Sequence, residues 1–323
     1  TSVRIPDLAL QTIRAGLAQG PVLVEVARTG DLVRPSCARC RTPIVCSSCG
    51  GPMHARRTTD GTVLTCRWCG QKQRDWSCAT CGATTIRSGL VGASTTAEQL
   101  GRAFPDTTVV DSSSDHVTTT IGTQPVLVVC TPGAEPRPES GYAAAVVLDA
   151  TSALEWPGLT SVEQTVDRWF HVVSLVRGAP EGGRVVLVGP TGDRAVQALI
   201  RNDPVGWARR ELADRREAGF PPATCAAIIS GSDQAVRAAV EQLCAASSDA
   251  TAVTGTPAHV DVLGPVPIPN RHGDDEPRLQ AIVRTPAGEA ASLATILAHL
   301  RAQHTMIRAE GTLRIRMDGA TEM

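Results

Sequence analysis

Eleven cysteines occur in 323 residues, and eight of them fall between Cys37 and Cys81. They form four C-x-x-C hooks: Cys37/Cys40, Cys46/Cys49, Cys66/Cys69 and Cys78/Cys81. A disulfide framework suits a small secreted domain, and no charged-then-apolar leader opens this chain. A redox centre needs one hook beside a thioredoxin-like βαβ unit, and four in tandem exceed that need. Zinc takes four soft ligands in a tetrahedron, and each hook offers two from one tight turn. Four hooks therefore predict two structural Zn2+ ions per chain, each held by four thiolates with no open position for catalysis.

Spacing also predicts the pairing. Cys46, Cys49, Cys66 and Cys69 read C-x2-C-x16-C-x2-C, inside the zinc-ribbon window. The intervening "GGPMHARRTTDGTVLT" reads as a strand, a turn at Asp60-Gly61 and a returning strand, which would bring the two hooks together. The outer hooks, Cys37/Cys40 and Cys78/Cys81, then meet where the excursion begins and ends. Sequential pairing would close the first site over only five residues, so nested sites are expected. Gly50, Gly70 and Gly82 each follow a second cysteine, where such hooks favour a positive φ; Arg41 takes that place in the first hook. His54 is surplus to eight ligands and is expected at the surface or behind them. Cys130, Cys225 and Cys244 lie in apolar stretches and are expected in the core.

The net charge of −1 makes no electrostatic case for nucleic acid over the chain as a whole. Between Arg34 and Gly82, however, eight basic residues face two acidic ones. Two zinc–thiolate sites would reduce that local +6 to about +2. Arg56, Arg57, Arg67 and Trp68 are the candidate DNA contacts of this mildly basic module. Trp68 and Trp76 have two readings: they stack on bases, or they cover metal sites in a module too small for its own core. Lys72 is the only lysine. No run of about 18 apolar residues occurs, so no membrane partner is expected and the cytoplasm is the default location.

Around the insert, "GPVLVEV" (20–26), "TVVD" (108–111), "VLVVCT" (126–131), "AAAVVLDA" (143–150) and "RVVLVG" (184–189) read as buried parallel strands. "STTAEQLGRAF" (94–104), with Thr95 and Glu98 as a capping box, and "SVEQTVDRWFHVVSLVRGA" (161–179) read as helices. This predicts an α/β, doubly wound and mostly parallel domain over 1–203, interrupted after its first strand by the metal-binding insert at 34–86. Gly189-Pro-Thr-Gly192 has a phosphate loop's outline, but Asp193 stands where a lysine would reach the phosphates. A charged helix at 205–220 leads into Pro221-Pro222, so 204–222 reads as a linker helix and hinge. Residues 223–323 read β-α-β-β-α-β, a ferredoxin-like α+β order.

The hook array, "ELADRREAGFPP" (211–222), "VLGPVPIP" (262–269) and "LRIRMD" (313–318) together resemble the C-terminal half of the PriA family of replication-restart helicases, primosomal protein N′. The resemblance implies a RecA-like second helicase lobe bearing a two-zinc, all-cysteine ribbon insert, then the ferredoxin-like domain. It implies nested zinc sites and recognition of forked or single-stranded DNA. It also implies contact with the single-stranded-DNA-binding protein and with the replicative helicase loading machinery, at the nucleoid. Active members hydrolyse ATP and unwind DNA with 3′-to-5′ polarity.

Departures from the pattern bear on that activity. "VLVVCTPGAEP" keeps only Thr131 of the family's G-T-Q motif, and Gly122-Thr123-Gln124 spells it ahead of the strand. "VSLVRGAPEGG" keeps only Arg177 where the family places Q-V-A-G-R-A-G-R. No Walker A lysine is present in this chain, and Lys72 lies among the hooks. At "TPAGEAASL" (285–293) no arginine matches the family's basic pocket for the single-stranded-DNA-binding protein. The leading expectation is a PriA-like restart protein whose helicase activity is weak or lost. The alternatives are the second lobe of an active helicase and a zinc-stabilised protein-interaction module without DNA binding.

Overall fold

The structure, a computed structural model, describes residues 4–27, 32–33, 35–58, 61–66, 69–87, 91–113, 116–154, 158–248, 259–268 and 278–317. The chain divides into two compact units, Thr1–Pro157 with Ser161–Pro204, and Gly158–Thr160 with Val205–Met323.

The first unit opens with α1 (Asp7–Leu17) and β1 (Val22–Glu25). The chain then leaves for a small excursion made of β2 (Leu32–Val33), β3 (Ser36–Cys37), β4 (Met53–Thr58), β5 (Gly61–Cys66), β6 (Lys72–Gln73) and β7 (Ile86–Arg87). It returns through α2 (Ala93–Ala103), β8 (Val109–Ser112), β9 (Thr120–Ile121), β10 (Leu127–Cys130), β11 (Arg137–Pro138) and β12 (Ala144–Val147). Helices α3 (Ala150–Leu154) and α4 (Ser161–Leu175), strand β13 (Arg184–Leu187) and helix α5 (Arg194–Ile200) complete it. Five strands form an all-parallel sheet in the order β13-β12-β1-β10-β8.

Continuous apolar runs let both faces of the three central strands, β1, β10 and β12, be buried. Val22, Val24, Leu127, Val129, Ala144 and Val146 turn one way, against Ile13 and Leu17 of α1 and Leu100 of α2. On α1, Ala9, Thr12, Ile13, Gly16 and Leu17 recur at three and four residues and make one buried stripe. Helix α2 starts earlier than its sequence signature predicts. Gly92 is its N-cap and no side chain caps it, so Thr95 lies within the first turn and the Thr95–Glu98 box does not form. The Thr96 hydroxyl instead donates to Gly92 O at 2.8 Å and accepts from Arg4 Nη1 at 2.9 Å.

Two polar residues are buried in the sheet, Ser112 at the end of β8, whose hydroxyl donates to Ala134 O at 2.6 Å, and Glu25. Glu25 ends the central strand with 4% of its surface exposed, and its Oε2 has no hydrogen-bond partner. Burial, then the hydrogen bond and charge of Glu135, push its carboxyl well above the ordinary range, and Arg168 pulls weakly the other way.

The second unit contains α6 (Pro204–Ala218), β14 (Thr224–Ser232), α7 (Asp233–Ser248), β15 (Asp261–Ile268), β16 (Arg278–Pro286), α8 (Ala290–Met306) and β17 (Leu313–Met317). Its sheet runs β15-β16-β14-β17, antiparallel throughout, which is ferredoxin-like connectivity. Ala227, Ile229, Ala281 and Val283 point to one face and meet Val236, Leu243, Leu293 and Leu297 of α7 and α8. Cys244, expected in this core, is exposed, because the buried stripe of α7 passes through its neighbour Leu243. The Leu-Gly-Pro-Val-Pro stretch makes a β-bulge. Leu263 pairs with Ile282 and Val266 with Gln280, and Gly264 at φ 100° supplies the kink.

Helix α6 packs within this unit through a buried arginine. Arg215 Nε donates to Glu211 Oε1 at 2.9 Å, Nη1 to Pro221 O at 2.7 Å and Nη2 to Leu159 O at 2.6 Å. The E-L-x-x-R spacing therefore places an acid one helical turn before the arginine it steadies.

Two outcomes are expected. Removing the buried Arg215 fork with Arg215→Ala strands Glu211 and two carbonyls, and should cost about 3–5 kcal/mol in urea unfolding. Glu25→Gln should raise thermal stability. Folded Glu25 keeps its proton where the unfolded chain has released it, so wild-type stability falls as pH rises above the ordinary carboxylate range. The advantage of the glutamine should therefore widen on the alkaline side and shrink towards acid, which melting curves across pH would record.

Candidate metal centre

Each of the four hooks closes by the same two hydrogen bonds. The amide after the second cysteine donates to the first cysteine's carbonyl: Arg41 N to Cys37 O at 3.0 Å, Gly50 N to Cys46 O at 2.9 Å, Gly70 N to Cys66 O at 3.1 Å and Gly82 N to Cys78 O at 2.8 Å. The first cysteine's amide then donates one residue further on, to Thr42 O, Gly51 O, Gln71 O and Ala83 O at 2.8–3.0 Å. The turn needs a left-handed residue, and Arg41, Gly50, Gly70 and Gly82 have φ of 64°, 70°, 71° and 70°. This conformation swings both sulfurs of a hook to one side.

Strand pairing then brings hooks together. β4 and β5 pair from Met53↔Cys66 to Thr58↔Gly61, which sets Cys46/Cys49 beside Cys66/Cys69; residues 59–60 of the turn lie outside the described residues. β3 and β7 pair through Ser36↔Arg87 and Cys37↔Ile86, which sets Cys37/Cys40 beside Cys78/Cys81. Two nested clusters result, Cys37, Cys40, Cys78 and Cys81 outside, and Cys46, Cys49, Cys66 and Cys69 inside, with the four sulfurs of each within 4.8 Å of one another. Facing sulfurs stand 3.4–3.5 Å apart in the outer cluster and 3.5–3.6 Å in the inner.

A disulfide would need about 2.05 Å, so these are not bridges. Zinc–sulfur bonds of about 2.3 Å in a tetrahedron put sulfurs about 3.8 Å apart, close to what is observed. The donor set thus fits a metal, and each cluster could hold one ion.

The thiol electrostatics agree. Cys40 is lowered to about 6 by the Thr42 hydroxyl, 3.1 Å from its sulfur, and by the Thr42 amide. Cys46 is lowered to about 6 by the amides of Cys49 and Ser48. The Gly51 amide pulls Cys49 down, but burial and the Cys66, Cys69 and Cys46 thiols outweigh it and raise it to about 12. Cys81 rises to about 11 in the same way, against the Ala83 amide. Backbone amides prepare each cluster for thiolates, while four crowded sulfurs cannot all ionise without a cation between them.

Of the other sequence candidates, His54 sits on β4 and belongs to neither cluster. Trp76 packs on a small core of Ile44, Cys46, Met53, Ala55, Leu64 and Cys66, the covering role of its two readings. Arg67, Trp68 and the side chains of Arg56 and Arg57 lie outside the described residues; the backbone of Arg56 and Arg57 runs in β4.

Two features of the parallel sheet that bear on nucleotide chemistry are committed elsewhere. Arg177 donates from Nη1 to Gln19 O at 3.1 Å and from Nε to Ser140 O at 3.3 Å, just ahead of β1 and β12. It is therefore spent at the amino ends of the strands, whereas open α/β sheets take ligands outside the carboxyl ends. The Asp193 carboxylate accepts from Ala195 N at 2.8 Å and occupies the start of α5, where a phosphate loop would present its amides to an anion.

Residues 216–320 match the family model described as the primosomal protein N C-terminal domain. The probable replication restart protein PriA of Mycobacterium leprae is 40% identical over 270 residues, covering 83% of this chain and 40% of that protein. Those of Mycobacterium bovis and Mycobacterium tuberculosis are 39% identical over 302 residues, covering 93% of this chain and 43% of each. The chain is a C-terminal region of the PriA type. It spans less than half the length of these PriA relatives. The PriA match takes in both the hook module and the second unit. Among the described residues of this PriA-type region, no helix is long and apolar enough to cross a membrane.

The hook turn makes a direct prediction. A Cβ at Gly82 would meet nothing within 4 Å, so Gly82→Ala tests backbone conformation alone. It should cost roughly 1–2 kcal/mol through the left-handed φ, read as an earlier unfolding midpoint in denaturant.

Proposed function

We propose that the chain serves replication restart as a DNA-contacting scaffold whose two sulfur clusters each hold a structural Zn2+. The observation that carries the proposal is the pair of four-sulfur clusters at tetrahedral spacing, set in a module almost free of acids. Over residues 35–58, 61–66 and 69–87, Asp75 is the only acidic side chain. When bound, zinc supplies charge neutralisation of the thiolates and a rigid cross-link between hooks. The chain's own residues supply the rest: amides orient the sulfurs, and Trp76 and Met53 pack with Cys46 and Cys66, while Cys49 and Cys69 face solvent.

The proposed DNA contacts are Arg56 and Arg57 on β4, with Arg67 and Trp68 in the neighbouring hook. Proposed partners are forked or single-stranded DNA, the single-stranded-DNA-binding protein and the machinery that reloads the replicative helicase, in the cytoplasm at the nucleoid. The names of the relatives, replication restart proteins, support this reading. The parallel-sheet unit acts as a RecA-like lobe that serves as scaffold more than motor, a role supported by the placements of Arg177 and Asp193.

A second reading, the second lobe of a working ATP-dependent helicase, is favoured by one fact: the relatives are more than twice as long as the part matched here. Robust fork-stimulated ATP hydrolysis by the natural protein would select it over the scaffold reading.

Elemental analysis of protein purified under reducing conditions should return two zinc ions per chain. Fork DNA followed by fluorescence anisotropy should bind less tightly as salt rises, because phosphate contacts release counterions. Chelation should abolish that binding. Zinc-free protein as isolated would sink the metal assignment, and salt-insensitive or absent fork binding would leave a protein-interaction module instead.

A further inference from the structure

We infer that the Cys37/Cys40 hook, through Arg41 with Arg39 beside it, is a contact point for the phosphate backbone of nucleic acid. The inference rests on the DNA-binding reading above and assigns part of the contact to the outer centre, away from the β4 hairpin.

The starting point is a conformation that three hooks give to glycine and one does not. Gly50, Gly70 and Gly82 stand at φ 70–71°, and Arg41 takes the same place at φ 64°. Residues with a Cβ pay steric strain there, and such outliers at exposed positions point to a use for the side chain. Packing does not supply one. A Cβ at any of the three equivalent glycines would meet nothing within 4 Å, so this place in the turn looks into open space. Arg41 is exposed accordingly, and no described residue forms an ion pair or side-chain hydrogen bond with it.

Its surroundings share one sign of charge. Arg39, inside the same hook, is exposed, and so is Arg87, on the strand that pairs with β3 through Ser36. No acidic residue occurs in 35–43 or 78–87, the segments that build the outer centre. Three exposed arginines thus lie on the segments that build one centre, on a backbone closed by hydrogen bonds.

A competing account is that these cations merely offset the negative charge of a zinc–thiolate centre. The inner centre would carry the same charge, yet at the left-handed position it uses Gly50 and Gly70. Charge compensation therefore does not require a side chain at this place. A guanidinium without a partner among the described residues, on a strained, solvent-facing turn whose segments carry further arginines and no acid, is built for an anion from outside. Planar, multi-donor guanidinium suits phosphate oxygens, and such contacts position a protein on nucleic acid without reading sequence.

The test uses the zinc-loaded chain with Arg41→Gly and Arg41→Lys, measuring zinc content, melting temperature and fork affinity over a range of salt. Arg41→Gly should keep two zinc ions and hold or raise the melting temperature, yet bind fork DNA several-fold more weakly. Its slope of log affinity against log salt should shallow by about 0.9 for one lost phosphate on duplex, or about 0.7 on single strand. Arg41→Lys keeps both charge and strain, and should retain most of the affinity. Unchanged affinity and slope in Arg41→Gly would overturn the inference, as would weakening that appears only with loss of zinc. If the unsubstituted chain fails to bind the fork at all, the DNA-binding reading itself falls, and that outcome is read before any variant.

Discussion

The hydrogen-bonded hook is the constraint on which the cysteine module depends. It is a six-residue turn closed by two backbone bonds, with one left-handed residue that aims two sulfurs the same way. A module with so small an apolar core cannot hold its shape by burial alone. Four repeats of the turn, joined by two short pairs of strands, converge their sulfurs at a spacing that fits a metal ion between them. The Thr42 hydroxyl and amide that lower Cys40, and the amides that lower Cys46, favour thiolate charge in both clusters.

The two larger units follow other physics. In the first, central strands buried on both faces carry the sheet, and burial raises the carboxyl of Glu25 among them well above its ordinary range. In the second, alternation leaves one face of an antiparallel sheet for α7 and α8. Neither of these two sheets contains a hook cysteine, and the parallel sheet continues through β8 and β10 after the excursion as though uninterrupted.

With one lysine in the chain, arginine takes on nearly every cationic task, and its placement separates the tasks. Arg4 binds Asp149 through two nitrogens, Arg177 ties two carbonyls at the amino ends of the sheet, and Arg215 joins α6 to Pro221 and Leu159. These use the fork geometry inward, where a lysine would reach one partner at a time. In the module, Arg39, Arg41 and Arg87 turn outward. The inward group holds the fold, and the outward group is available to a ligand.

By itself the sequence determined what is local: hook turns from C-x-x-C-Gly, strands from short apolar runs, the β-α-β-β-α-β order, and the nested grouping of sulfurs from a sixteen-residue hairpin. Each of these depends on neighbours a few residues away or on a turn that closes a short loop. Only the tertiary structure decided that Arg177 serves the amino ends of strands 37 and 158 positions away, that Arg215 reaches Leu159, that Cys244 faces outward beside buried Leu243, and that Glu25 is sealed without a full set of partners. Those outcomes turn on which distant groups share a space and how far water is excluded from it. Periodicity and spacing carry no record of either.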